Sequence, residues 1–313
     1  MKRKAVAVKH IGLKFFAFVM FFLFSVEKSF AQEVVPLYPG AVPNSISVKS
    51  EEILKVNDSI KIVRNIGIPS MAAYIPDSAH SVGSAVIIFP GGGYYLEAYE
   101  IEGTWIAEAF AKRGVAAFVV KYRLPTDSTM IDKTIGPLQD AQQAMKVVRE
   151  RSKAWRIDSN KIGIMGFSAG GHLASTAGTH FDRAYIPDKE NVNLRPDFMI
   201  LCYPVISMTD KLGHLGSRNL LLGDHPSDSL KAFFSGEMNV SRRTPPTFLI
   251  HAEDDNGVDP NNSIEFFQAL RRHGVQAELL MIPSGGHGFA ANVPMEKWGK
   301  PLFEWMNDNG WMK

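Results

Sequence analysis

From about residue 60 to the C-terminus, short apolar runs alternate with longer amphipathic stretches, the pattern of strands and helices wound around a mostly parallel sheet. The runs 84–89, 115–120, 161–165, 198–203, 247–251 and 277–282 read as strands. Most are apolar on both faces, as a strand covered by helices on both sides must be. The stretches 102–113, 136–151, 169–178, 261–273 and 295–309 read as helices; Leu138, Ala141, Met145 and Val148 mark one apolar stripe. The runs 60–66 and 71–75 are expected to pair antiparallel at the sheet edge. Residues 204–245, punctuated by Gly213, Gly216, Gly223, Pro226, Pro245 and Pro246, read as a loop and short-helix excursion over one end of the sheet. The fold class is α/β, with helices on both faces of the sheet.

The first 31 residues stand apart. Lys2, Arg3, Lys4, Lys9 and Lys14 form a basic start, 15–25 is an almost wholly apolar run, and Ser29-Phe30-Ala31 offers small residues for cleavage. These are the marks of a secretory signal peptide, so the mature chain, 32–313, is expected to form a single catalytic domain and to be exported, to the periplasm or the medium. The apolar run is 11 residues, short of the roughly 20 that span a bilayer, so no stable membrane span is expected after cleavage. The segment carries six basic residues against Glu27, and its removal takes the net charge from +2 to −3. No basic footprint for nucleic acid remains. Cys202 is the only cysteine, which excludes an internal disulfide and, in its apolar run, reads as an inert core thiol.

The stretch Gly166-Phe167-Ser168-Ala169-Gly170 fits G-x-S-x-G and falls between a strand and a helix. There a serine sits on a tight turn, glycines leave room for strained backbone, and the helix start aims NH groups at a reacting atom. A serine alcohol needs a base to take its proton and a carboxylate to orient that base. Of nine histidines, His287 in Gly285-Gly286-His287-Gly288-Phe289 follows the last strand and can reach the carboxyl end of the sheet. His172, one helical turn past Ser168, is expected to pack or hydrogen-bond in support; His80, His180, His214, His225 and His273 lie in polar surroundings and read as surface residues. The acid should follow the strand ending at His251, where Glu253, Asp254, Asp255 and Asp259 stand together. Asp255 is the expected acid and Asp254 the alternative; Asp259, before Pro260, reads as a helix cap. The backbone NH groups of Gly92, Gly93 and Ala169 are the expected oxyanion hole, since Pro90-Gly91-Gly92-Gly93-Tyr94 directly follows a strand. Those glycines lack phosphate-loop spacing.

The runs PGGGY, KYRLP, GFSAGGHLA, HAEDD and GGHGF together resemble the α/β-hydrolase fold over about residues 60–310. Within it the chain is similar to secreted bacterial acetyl-xylan and carbohydrate esterases, with hormone-sensitive-lipase-like and prolyl-oligopeptidase-like relatives. The resemblance implies a serine esterase acting on short acyl, chiefly acetyl, esters of a small-molecule or polysaccharide substrate, with no metal or organic cofactor. Pro90 departs from the histidine many relatives carry there, and Asn256-Gly257 alters the acid-loop spacing. A prolyl-oligopeptidase-like peptidase, a feruloyl esterase and a dead scaffold kept for binding are the alternatives.

Overall fold

A computed structural model describes residues 32–46, 52–55 and 61–313. The expected signal peptide lies outside these residues. The described strands of the main sheet are β1 (Gln32–Pro36), β4 (Ser70–Tyr74), β5 (Ala85–Phe89), β6 (Ala116–Lys121), β7 (Ile162–Phe167), β8 (Met199–Cys202), β9 (Thr247–Ala252) and β10 (Ala277–Ile282). Their order is β1-β4-β6-β5-β7-β8-β9-β10, with β1, β4 and β6 joined antiparallel and every pair from β6 to β10 parallel. β5, β7, β8 and β9 are buried at every position, whereas edge strand β10 is only partly covered.

The helices are α1 (Trp105–Ala111), α2 (Gly136–Glu150), α3 (Ser168–Thr179), α4 (Leu215–Leu222), α5 (Asp228–Phe233), α6 (Asn261–Arg272), α7 (Met295–Trp298) and α8 (Lys300–Asp308). They cover both faces, as strand alternation shows directly. Met199 and Phe248 lie on opposite faces, because Met199 is level with Thr247 and side chains alternate. Gly178 of α3 lies against Met199, while Trp305 of α8 packs on Phe248 with ring centroids 5.6 Å apart.

Three expectations need correction. The segment Lys61–Arg64 (β3) does not pair with the 71–75 run; it pairs with Glu52–Lys55 (β2) in a separate two-stranded sheet, and Ile60 lies outside the described residues. The reason is burial: β4 is buried at four of its five positions and is flanked on both sides, by β1 and β6, whereas β3 is buried only at Val63. The 102–113 helix begins earlier, with a wide π-helical turn over Glu100–Thr104. The 295–309 helix is two, interrupted at Gly299, where Pro301 opens α8. The 204–245 excursion contains α4, α5 and a short 3-10 turn, Gly236–Met238.

Candidate active site

Four loops leave the carboxyl ends of β5, β7, β9 and β10, and they carry the glycine run, Ser168, Asp255 and His287. In open α/β sheets this end is where ligands bind. At β7 the chain leaves extended geometry at Phe167 (φ −117°, ψ 132°) and enters the left-handed region at Ser168 (φ 51°). A non-glycine residue held there costs on the order of 1–3 kcal/mol and persists only where its surroundings impose it. They do so here by backbone contact: a Cβ on Gly166 would lie 2.1 Å from the Gly170 carbonyl oxygen, and one on Gly170 would lie 2.1 Å from that of Phe89. Ser168 is left 6% exposed.

The Ser168 hydroxyl lies 2.9 Å from His287 Nε2, and His287 Nδ1 lies 2.8 Å from Asp255 Oδ2. With Nδ1–H donating to the carboxylate, Nε2 is free to accept the serine proton. Asp255 is buried, and its other oxygen, Oδ1, accepts from the backbone NH groups of Gly257 and Val258 at 2.8 and 2.9 Å. Its Oδ2 also accepts from Nε2 of His251, at 3.1 Å; the Ser263 hydroxyl, 2.8 Å away, donates to Nδ1 of that fully buried ring. Burial alone would raise the Asp255 carboxyl, but the bonds from His251, His287 and Val258 outweigh it and hold the group well below the usual carboxylate range. Asp254 does not reach the His287 ring. It is exposed, and its carboxylate accepts from the Gly286 NH at 2.8 Å, fastening the histidine loop. Asp259 accepts from the NH of Asn261, the first residue of α6, at 2.8 Å.

The glycine run lies directly against the serine: a Cβ on Gly91 would sit 3.0 Å from Ser168 Cβ. Gly92 and Gly93 have φ +134° and +65°, and Tyr94 follows at 64°. Their shape is held from below. Glu102, buried, accepts from the Gly91 NH at 2.7 Å and from the Tyr203 hydroxyl at 2.8 Å. Burial pushes its carboxyl upward, despite those donors. Tyr122 donates to the Pro90 carbonyl at 2.7 Å, and the Tyr94 hydroxyl donates to His172 Nδ1 at 2.7 Å. His172 in turn donates from Nε2 to Phe234 in the excursion, also at 2.7 Å. Burial lowers His172 to about 4, so it stands neutral and able to play both parts. The supporting place expected for His172 is therefore where the ring lies.

Two surface assignments fail: His180 and His214 are half-buried, His180 with its ring 4.3 Å from that of Phe233 and His214 accepting from the Ser217 NH at the start of α4. Sequence reasoning also passed over Glu102, Tyr122, Tyr203 and His251. Tyr122 lies in the KYRLP run and His251 in HAEDD, but Glu102 and Tyr203 carry no local signal. Tyr203 earns its place by geometry, with φ 36° and a ring edge-on to His287 at 5.3 Å. Cys202 is fully buried and burial pushes its thiol well up, so it stays an unreactive core group.

A mostly parallel sheet, a serine elbow after its central strand β7 and the chain order Ser168, Asp255, His287 define an α/β hydrolase. More closely, residues 71–270 match the BD-FAE family, and the chain belongs to it. It is 36% identical over 252 residues to an acetylxylan esterase of Xylanibacter ruminicola, covering 79% of this chain and 48% of that protein. It is also 36% identical over 224 residues to an endo-1,4-beta-xylanase B of Butyrivibrio fibrisolvens, covering 71% of this chain and 34% of that one. The chain thus spans about half of the first relative and a third of the second. Among solved structures, an acetyl ester-xyloside bifunctional hydrolase from Caldicellulosiruptor lactoaceticus superposes with TM-score 0.75 at 36% identity, over 90% of this chain and 97% of that one. No helix of the described residues is long and apolar enough to cross a membrane.

Proposed function

We propose that this chain is an exported serine esterase that removes short acyl groups, chiefly acetyl, from xylan-type carbohydrate, with residues 32–313 acting as one catalytic domain. The observation that carries the reading is the hydrogen-bonded series Ser168, His287, Asp255 on a strained elbow, in a chain similar to proteins named for acetylxylan and acetyl ester-xyloside hydrolysis. Ser168 Oγ attacks the ester carbonyl while His287 Nε2 takes its proton. The tetrahedral oxyanion is held by the NH groups of Gly92, Gly93 and Ala169. Collapse breaks the bond to the sugar oxygen, to which His287 returns the proton, leaving an acyl-serine. Water, deprotonated by His287, attacks that acyl carbon; collapse breaks the bond to Ser168 Oγ, to which His287 returns the proton, releasing the carboxylic acid and restoring the serine. Asp255 keeps the ring in the tautomer with the proton on Nδ1 and stabilises the imidazolium.

The test is hydrolysis of p-nitrophenyl esters of increasing chain length by the mature chain, beside Ser168→Ala. Fast cleavage of the acetate, falling with acyl length and reduced on the order of 10⁴-fold or more in the variant, supports the reading. A folded protein that cleaves none of these esters overturns it.

A further inference from the structure

Tyr203 directly follows β8, and its backbone is anchored on both sides. Its NH donates to the Ile250 carbonyl of β9 at 2.8 Å, and two residues on the Val205 NH donates to the Ser168 carbonyl at 3.0 Å. Between these anchors Tyr203 is held at φ 36°, a left-handed conformation rare for a bulky residue. Strain of this kind persists only where the surroundings impose it, and it gathers at working sites. Here it goes with a wholly buried ring that meets both halves of the site. The ring centroid lies 5.3 Å from that of His287 and 4.9 Å from that of Phe289 in the same loop, at interplanar angles of 70° and 77°. The Tyr203 hydroxyl donates to Glu102 Oε1 at 2.8 Å, and Glu102 Oε2 accepts from the Gly91 NH at 2.7 Å.

A continuous path therefore runs from the glycine loop through Glu102 and Tyr203 to the His287 ring. Its glycine end has no slack. A Cβ on Gly91 would lie 2.7 Å from Glu102 Oε2, 2.7 Å from the Phe167 carbonyl oxygen and 3.0 Å from Ser168 Cβ, and the Gly91 carbonyl accepts from the Ala98 NH at 2.9 Å. Its middle is buried, and a buried network whose members are paired is rigid. We propose that Tyr203 and Glu102 are positioning residues that fix the spacing between the oxyanion donors and the His287 ring. They act through Gly91 and His287. In the transition state the proton passes to Nε2 as negative charge reaches the glycine NH groups, so both partners must stand at one separation. The proposal rests on the serine-esterase reading above.

The experiment measures the rate at which an alkyl fluorophosphonate labels Ser168, beside Tm. In that reaction Ser168 Oγ bonds to phosphorus as fluoride leaves and His287 takes the proton, while the phosphoryl oxygen occupies the oxyanion's place. Tyr203→Phe keeps the ring and removes only the hydroxyl; labelling should slow roughly ten-fold with little change in Tm. Glu102→Leu strands both donors and should slow it roughly a hundred-fold, and adding Tyr203→Phe should cost nothing further, because the two share one bond. Glu102→Gln should recover most of the loss, its amide oxygen accepting from Gly91 and its NH2 donating to the tyrosine hydroxyl. Wild-type labelling in Tyr203→Phe and Glu102→Leu overturns the proposal while the esterase stands, even where Tm falls, since the bridge is then structural only. Glu102→Gln as slow as Glu102→Leu also overturns it, because charge and not the bridge is then at work. Should Glu102→Leu fail to fold, Tyr203→Phe decides alone. A wild type that is labelled but cleaves no p-nitrophenyl ester removes the esterase reading, and slowed labelling in the variants still upholds the bridge. A folded wild type that is neither labelled nor active overturns both.

Discussion

Asp255 receives four hydrogen bonds, two from backbone NH groups and two from histidines, and the two histidines share one oxygen. His251 is thereby a positioning residue: it fixes the carboxylate that fixes His287. Replacing it with Phe removes one donor from a buried carboxylate, and the carboxyl should rise toward the ordinary range. We expect kcat to fall by roughly ten- to a hundred-fold with little change in KM, and pH–rate profiles to show the acid limb displaced. Asp255→Asn should cost about 10⁴-fold in kcat by favouring the wrong tautomer. His172 makes a separate, thermodynamic prediction. Its folded value near 4 lies below the ordinary 6.5, so the unfolded chain binds the extra proton, and stability falls as pH drops from about 6.5 to about 4. The loss is about 3 kcal/mol, read as the difference between wild type and His172→Gln in urea unfolding at pH 7 and pH 4. Equal pH dependence in the two proteins would count against a buried neutral ring.

The elbow is an element whose function is a matter of clearance. Because a Cβ at Gly170 meets two carbonyl oxygens of the β5 loop, at 2.1 and 2.5 Å, Gly170→Ala must push α3 from the sheet. Overpacking of this kind costs about 1–3 kcal/mol, and here it also displaces Ser168, so activity should fall far more than Tm. The loop after β6 is fastened differently. Arg123 and Asp140, 1% and 0% exposed, form a buried bidentate pair, joined by Tyr38. Asp140→Ala strands the guanidinium and should lower stability by about 3–5 kcal/mol, measured by denaturant unfolding. The KYRLP run was conspicuous in the sequence, but its work was not legible there, because Tyr122 and Arg123 act on Pro90 and Asp140, which are distant along the chain.

For the whole molecule, the segment just after the expected cleavage point is part of the sheet. β1 covers the edge of β4, and Leu37 and Pro43 accept hydrogen bonds from Gln143 and Arg123. A chain truncated to begin at residue 47 should therefore expose an apolar edge, melt at lower temperature and self-associate, as thermal scans and light scattering would show. An unchanged melting temperature would mean that the edge needs no cover.

What the sequence by itself determined follows from local rules. Apolar runs of strand length, helical stripes and a glycine-bracketed serine are signals within a dozen residues, and they marked β4 to β10 and most helices, and singled out Ser168 and His287 as the expected nucleophile and base. Between Asp254 and Asp255 the sequence left a choice, since both are adjacent acids in one loop; only the direction of each side chain separates them, one to the Gly286 NH and one to the ring. The pairing of β3 with β2, the break at Gly299 and the burial of His180 and His214 likewise depend on which surfaces meet. Glu102 and Tyr203 make the point most sharply. They stand 101 residues apart and share one hydrogen bond beneath the glycine loop. A contact of that kind forms because packing brings two buried polar groups together where water cannot serve them, which no local pattern encodes.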